Sequence, residues 1–121
     1  MQEMLERILV DFLKVSGVTA AGIIDVDGLI IASHSRGMSQ EDLEVAGGLI
    51  AQLISAAKDV SNASGLGDVC DIISETEKGK FFVISADSVF FWFFTESNVN
   101  LGYMRVQAKK TVEKIKSSLS G

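Results

Sequence analysis

The sequence predicts a single α/β (α+β) domain over residues 1–121, built on one largely antiparallel sheet with helices on both faces. Three observations carry this reading. Residues 89–94, Val-Phe-Phe-Trp-Phe-Phe, are six bulky apolar side chains in succession. A strand points alternate side chains to opposite faces, so both faces of this one need cover, which makes it a central strand. The hydrophobic patterns follow the order α-β-β-α-β-β-β-α along the chain. The connections between strands are short, which favours hairpins over crossovers and hence antiparallel pairing.

The first helix is predicted over 2–15. Leu5, Ile8, Leu9, Phe12 and Val15 repeat at helical spacing on one face, and Ser16-Gly17 ends the run. Val18 to Asp25 reads as a strand. Asp25-Val26-Asp27-Gly28 is a turn, because Asp-Gly supplies the positive φ of a tight hairpin. The returning strand is 29–33, and His34 to Met38 is a polar loop. Ser39 is an N-cap, with Glu41 and Asp42 in the first turn where acids suit the helix dipole. That middle helix runs from about 40 to about 61, with Leu43, Ala46, Gly47, Ile50, Leu53, Ile54 and Ala57 on one face.

Asn62 to Asp68 is a loop. Val69 to Thr76 is a strand carrying Asp71, Ser74, Glu75 and Thr76, and charges of this kind mark a sheet edge. Glu77-Lys78-Gly79 turns the chain into a strand at 80–85. Ala86-Asp87-Ser88 turns it again into the central strand, 89–95. Asn100 caps the last helix, about 101–119, whose buried stripe is Leu101, Met104, Ala108, Val112, Ile115 and Leu119.

The chain is 47% hydrophobic, carries a net charge of −5 and has no proline. No apolar run approaches the roughly 20 residues of a spanning helix, so no membrane insertion is expected. The first residues, Met1 to Glu6, carry acids where a signal peptide carries bases. Cys70 is the single cysteine, so no internal disulfide can form and a cytoplasmic location is expected. The negative charge disfavours nucleic acid as a partner.

Gly17-Val18 before the first strand, Asp27-Gly28-Leu29-Ile30-Ile31-Ala32-Ser33 on the first hairpin, and Gly102-Tyr103-Met104-Arg105 opening the last helix are the motifs of a known pattern. In them the chain resembles the roadblock / dynein light-chain family over nearly its whole length. That resemblance implies a profilin-like sandwich with five antiparallel strands ordered 2-1-5-4-3. The middle helix would lie on one face and the terminal helices on the other. It also implies a homodimer, with the third strand paired to its copy and the middle helices side by side. Members of the family regulate or dock small Ras-like GTPases, or serve as adaptors on dynein motors.

Chemistry-bearing residues are sparse. His34 is the only histidine and has no cluster of further ligands, so it reads as a surface residue. Cys70 lacks a partner thiol or base and reads as a small buried or edge hydrophobe. Asp25 and Asp27 follow from hairpin geometry rather than acid–base chemistry. Gly65-Leu66-Gly67 lacks the Lys and Ser/Thr of a phosphate loop and is followed by Asp68, which repels phosphate. The expectation is therefore no catalytic residue, no metal and no cofactor.

Gly47-Gly48 inside a helix costs about 1–2 kcal/mol relative to alanine. With Ala51 and Ser55 these glycines make a strip of small residues. The expectation is that Gly47, Gly48, Ala51 and Ser55 face a partner helix and that Val69, Cys70, Asp71, Ile72 and Ile73 pair across the dimer. On this reading Gly48→Leu breaks the dimer. The other flank, Val45, Leu49, Gln52 and Ala56, is a weaker apolar strip and a candidate docking surface for a further protein. The function read from the sequence is a non-enzymatic homodimeric module that regulates or scaffolds a Ras-like GTPase. Its alternatives are an adaptor without a GTPase partner, and a ligand sensor or enzyme on a similar sandwich.

Overall fold

The computed structural model describes residues 2–120. Its elements run α1 (Gln2–Phe12), β1 (Val18–Asp25), β2 (Ile30–Ser35), α2 (Gln40–Ser64), β3 (Asp71–Glu75), β4 (Lys80–Ala86), β5 (Val89–Thr95) and α3 (Leu101–Ser120). The strands form one five-stranded sheet ordered β2-β1-β5-β4-β3, every neighbouring pair antiparallel. The apolar run at 89–94 is thus sandwiched between β1 and β4, and Phe91, Trp92 and Phe93 have no exposed surface.

Alternation along β5 divides the core into two layers. Phe91 and Phe93 join Leu5, Leu9 and Phe12 of α1 and Met104, Ala108 and Ile115 of α3. Phe90 and Trp92 point the other way, to Leu43, Ile50 and Ile54 of α2. The Trp92 ring covers Gly22 of β1, where an added Cβ would overlap Cζ2 and Cε2 of the indole. No other residue type fits under this ring at that position.

Several boundaries differ from the sequence reading. α1 stops at Phe12, not 15. Lys14 and Val15 donate to carbonyls three residues back, a tightened last turn. β2 begins at Ile30 and extends to Ser35, because Ala20 and Ala21 of β1 offer partners to Ser35 and His34. His34 is therefore on a strand and half-buried, with Nε2 shielded from solvent, not in a loop. Asp25 does close the hairpin, its Oδ1 accepting from the N–H of Asp27 at 2.9 Å and of Leu29 at 3.0 Å.

α2 runs three residues past the predicted end, to Ser64. Its stop is Gly65 in the left-handed region (φ 67°), where the Gly65 and Leu66 N–H groups donate to Asn62 and Ser61. This is a glycine C-cap, and the polar residues before it are simply the helix's last turn. β3 is shorter than predicted, so Val69 and Cys70 precede the strand and Cys70 is exposed rather than buried. Leu101 of the predicted α3 stripe is 36% exposed rather than buried, being in the first turn.

Both predicted caps are present. Ser39 Oγ accepts from Asp42 N–H at 3.0 Å, and Asn100 Oδ1 accepts from Tyr103 N–H at 2.8 Å. Ser39→Ala is expected to destabilise the protein by about 1 kcal/mol, read as a lower urea midpoint at unchanged slope. An unchanged midpoint would mean that the cap is replaced by water without loss.

Candidate functional site

The α2 backbone runs closest to β2 and β1, while its buried side chains reach across to Val83 of β4 and to Phe90 and Trp92 of β5. Gln40 at its start donates to Ser33 Oγ of β2 at 3.1 Å. A Cβ at Gly47 would sit 2.8 Å from Ile30 Cδ1 of β2, and a Cβ at Gly28 would sit 2.8 Å from the Ala51 methyl. Gly47 and Ala51 are therefore small because the helix settles on its own hairpin. The contact expected from sequence between these two residues and a partner helix is thus matched by one with the chain's own hairpin. Gly48 has no atom within 4 Å of an added Cβ, and Ser55 is exposed. The strip of small residues does not face the open part of the sheet.

The opposite flank of α2 does. At about 100° per residue, Ala46, Leu49 and Leu53 lie roughly a quarter turn from the buried line of Leu43, Gly47, Ile50 and Ile54. With Ile50 they form one wall of an apolar groove of about 260 Å³, whose floor is Phe81 of β4 and Phe94 of β5. Leu49 is 58% exposed, as is Val45, and Val60 further along is 63% exposed. Of the strip assigned from sequence to a further partner, only Leu49 borders the groove; Val45, Gln52 and Ala56 are exposed on the outer face of the helix, roughly half a turn from the buried line. Beyond the groove, Ile72 of β3 is half-buried on the same face.

The groove ends at a free strand edge. β3 pairs only with β4. Cys70 accepts from Ser85 N–H, and Thr76 donates to Gly79. In an antiparallel ladder the direction of backbone groups alternates, so Asp71, Ile73 and Glu75 turn their N–H and C=O groups away from β4. Asp71 lies 3.9 Å from Arg105 of α3. No bulge or proline interrupts this edge; its only protections are its shortness and the charges of Asp71 and Glu75.

Among the described residues no group of three or more His, Cys, Asp or Glu is placed to hold a metal ion, and no helix is long and apolar enough to cross a membrane. Sequence reasoning missed that Phe81 and Phe94 are only half-buried, because each sits among the apolar residues of an inner strand. Which flank of α2 is open depends on where the helix crosses the sheet, and no local pattern encodes that.

A family model described as Roadblock/LC7 domain matches residues 4–92. The uncharacterized protein MJ1340 of Methanocaldococcus jannaschii is 31% identical over 114 residues, covering 94% of this chain and 98% of that protein. Among solved structures, MglB of Myxococcus xanthus matches with a TM-score of 0.90 at 16% identity, covering 98% of this chain and 90% of that one. A Roadblock/LC7 domain from Streptomyces avermitilis matches with a TM-score of 0.86 at 17% identity, covering 96% and 98%. The two structures share the fold, and the sequence-level match over most of the chain goes further: this chain belongs to the Roadblock/LC7 domain family.

Proposed function

We propose that the protein is a non-enzymatic homodimeric module that regulates or scaffolds a small Ras-like GTPase. The observation that carries the assembly is that an uncovered apolar groove and an unpaired strand edge adjoin on one side of the molecule. A second copy related by a twofold axis covers both at once: β3 pairs with its counterpart, and the Leu49–Leu53 flanks of the two α2 helices meet over Phe81 and Phe94. The GTPase as partner rests on family membership, since Roadblock-type proteins serve as docking platforms for such enzymes.

The acids on β3 select the register. Pairing centred on Ile73 sets Asp71 opposite Glu75 of the other copy, and pairing centred on Ser74 sets Asp71 opposite Glu77. Like charges directly opposed destabilise an antiparallel pair. Pairing centred on Ile72 sets Asp71 opposite Ile73 and Glu75 opposite Val69, with Ile72 against Ile72 on the apolar face. Because Ile72 directs its hydrogen bonds to β4, that pair is of the closely spaced kind, with Cα atoms about 4.5 Å apart.

Light scattering is expected to give twice the 13.0 kDa chain mass. With Cys70 replaced by serine, Ile72→Cys is expected to form an intermolecular disulfide on mild oxidation, and Ile73→Cys and Ser74→Cys much less, since the bond needs Cα atoms within about 7 Å. A monomer, or cross-linking strongest at Ile73, would reject this assembly. The GTPase partner is tested by calorimetric titration with Ras-like GTPases of the same cell, loaded with GDP or a non-hydrolysable GTP analogue. Binding that differs between the two nucleotides is the expected result, and no binding in either state rejects a GTPase platform.

A further inference from the structure

The charges of this chain are segregated. α3 carries Arg105, Lys109, Lys110, Lys114 and Lys116 against Glu113 alone, in a chain of net charge −5. On the far side of the sheet, α2 carries Glu41, Asp42, Glu44 and Asp59 against Lys58. α1 and α3 lie side by side over one sheet face, so their outward ridges form a single broad surface. With Met104, Ala108, Val112 and Ile115 turned inward, the ridge of α3 is Tyr103, Val106, Lys110, Glu113 and Lys114, all exposed. The ridge of α1 is Glu3, Arg7 and Val10, also exposed, and α1 carries Glu3, Glu6 and Asp11 against Arg7, so the basic excess of this face comes from α3. Between the helices Met4 lies in an open groove with Ile8, Lys114 and Ser117.

Among the described residues, Arg7, Lys109, Lys110 and Lys114 make no ion pair, whereas Arg105 and Lys116 do. The surface therefore offers an excess of cations over the acids Glu3 and Glu113, interleaved with half-exposed apolar side chains. Interfacial helices combine the same two elements: apolar groups enter the acyl boundary while lysine stems reach back to the headgroups.

We propose that the α1/α3 face is a peripheral docking face for an anionic lipid bilayer. Charge complementarity selects the occupant. The cations are spread over two helices instead of surrounding the groove, where Glu113 and Lys114 offset one another. A plane of negative charge touches all of them together, and an acidic peptide seated in the groove would not. The acidic α2 layer points away from such a plane, so the molecule's own charge asymmetry orients it. Antiparallel β3 pairing has its twofold axis normal to the sheet, which sets the faces of two copies on the same side and doubles the contact. That doubling rests on the dimer proposed above.

The test is flotation of the full chain with vesicles of phosphatidylcholine alone or with about 30% phosphatidylglycerol, an anionic surface of the kind that attracts basic segments. Light scattering in the same buffers reports the dimer independently. Flotation is expected only with the anionic vesicles, and is expected to vanish at about 0.5 M salt, where screening shortens the reach of charge. Near such a surface each lysine contributes about fivefold in partitioning. Lys110→Glu/Lys114→Glu is then expected to lose at least about 25-fold. Lys58→Glu/Lys78→Glu, with the same change in net charge, is expected to retain binding. Lys110→Gln/Lys114→Gln guards against an effect of the introduced acids on folding and is expected to fall between. No flotation, equal flotation with neutral vesicles, equal loss in the two Glu pairs, or capture by polyglutamate without flotation would each overturn the proposal.

Discussion

Gly22→Ala is expected to destabilise the protein by about 3 kcal/mol, at the upper end of the usual cost of overpacking a core. The added methyl would overlap the Trp92 ring, which is fully enclosed and has nowhere to tilt. Urea denaturation measures the loss. Trp92→Phe makes room beneath the ring and removes an Nε1–H group that has no hydrogen-bond partner, which offsets part of the cavity it leaves. The double variant Gly22→Ala/Trp92→Phe is therefore expected to be more stable than the sum of the single changes by about 1 kcal/mol or more, as for residues in contact. Additive losses would show that the two do not constrain each other. The same cycle reports on the whole sheet, because β1 and β5 meet along this line.

Leu49→Glu is expected to leave the fold intact and abolish dimerisation. Its side chain is 58% exposed in a single chain, so the substitution lies within the about 0.5 kcal/mol typical of surface changes. In the proposed assembly the twofold axis brings two new carboxylates into an apolar groove. Burial of uncompensated polar groups at about 1–3 kcal/mol each raises the dissociation constant by at least about 30-fold. Gly48→Leu is expected to do the reverse of what the sequence suggests. Open space surrounds Gly48, so leucine gains helix propensity, somewhat under about 1 kcal/mol, and the dimer persists. Sedimentation and circular dichroism on the same samples separate the outcomes. A dimeric Leu49→Glu protein, or a monomeric Gly48→Leu protein, would place the helix contact on the small-residue strip after all.

What was legible in the sequence was the part governed by short-range rules. Val18–Asp25 and Val89–Thr95 have the predicted bounds because β-branched and aromatic runs between turn residues leave little choice. Ser39 and Asn100 cap their helices because each has an oxygen one short side chain from the backbone. The strand order followed from the family resemblance and agrees with the sheet observed. The open flank of α2 was not legible. Gly47, Gly48, Ala51 and Ser55 make a continuous strip on a helical wheel, yet Gly47 and Ala51 are used by the hairpin and the other two by nothing in the chain. Only the crossing position of the helix, a tertiary property, separates Leu49 at a groove from Gly48 in solvent. His34 was misplaced for a related reason: its strand character comes from pairing with Ala21, not from its neighbours in sequence.

The strand order also bears on how the chain is made. β1 is complete at Asp25, but its inner neighbour, β5, ends at Thr95. The two hairpins β1–β2 and β4–β5 are local and can close as soon as they are synthesised. Their junction is not local, and it carries the most buried aromatic residues. At a synthesis rate of about 5–20 residues per second, the ribosome holds the first hairpin for several seconds with its β1 edge still unpaired. During that interval α2, the next element to emerge, can cover one face of the hairpin, with Ile30 beneath Gly47. The glycine that lets the helix lie close in the finished protein thus also shapes the earliest shelter available to the nascent strand.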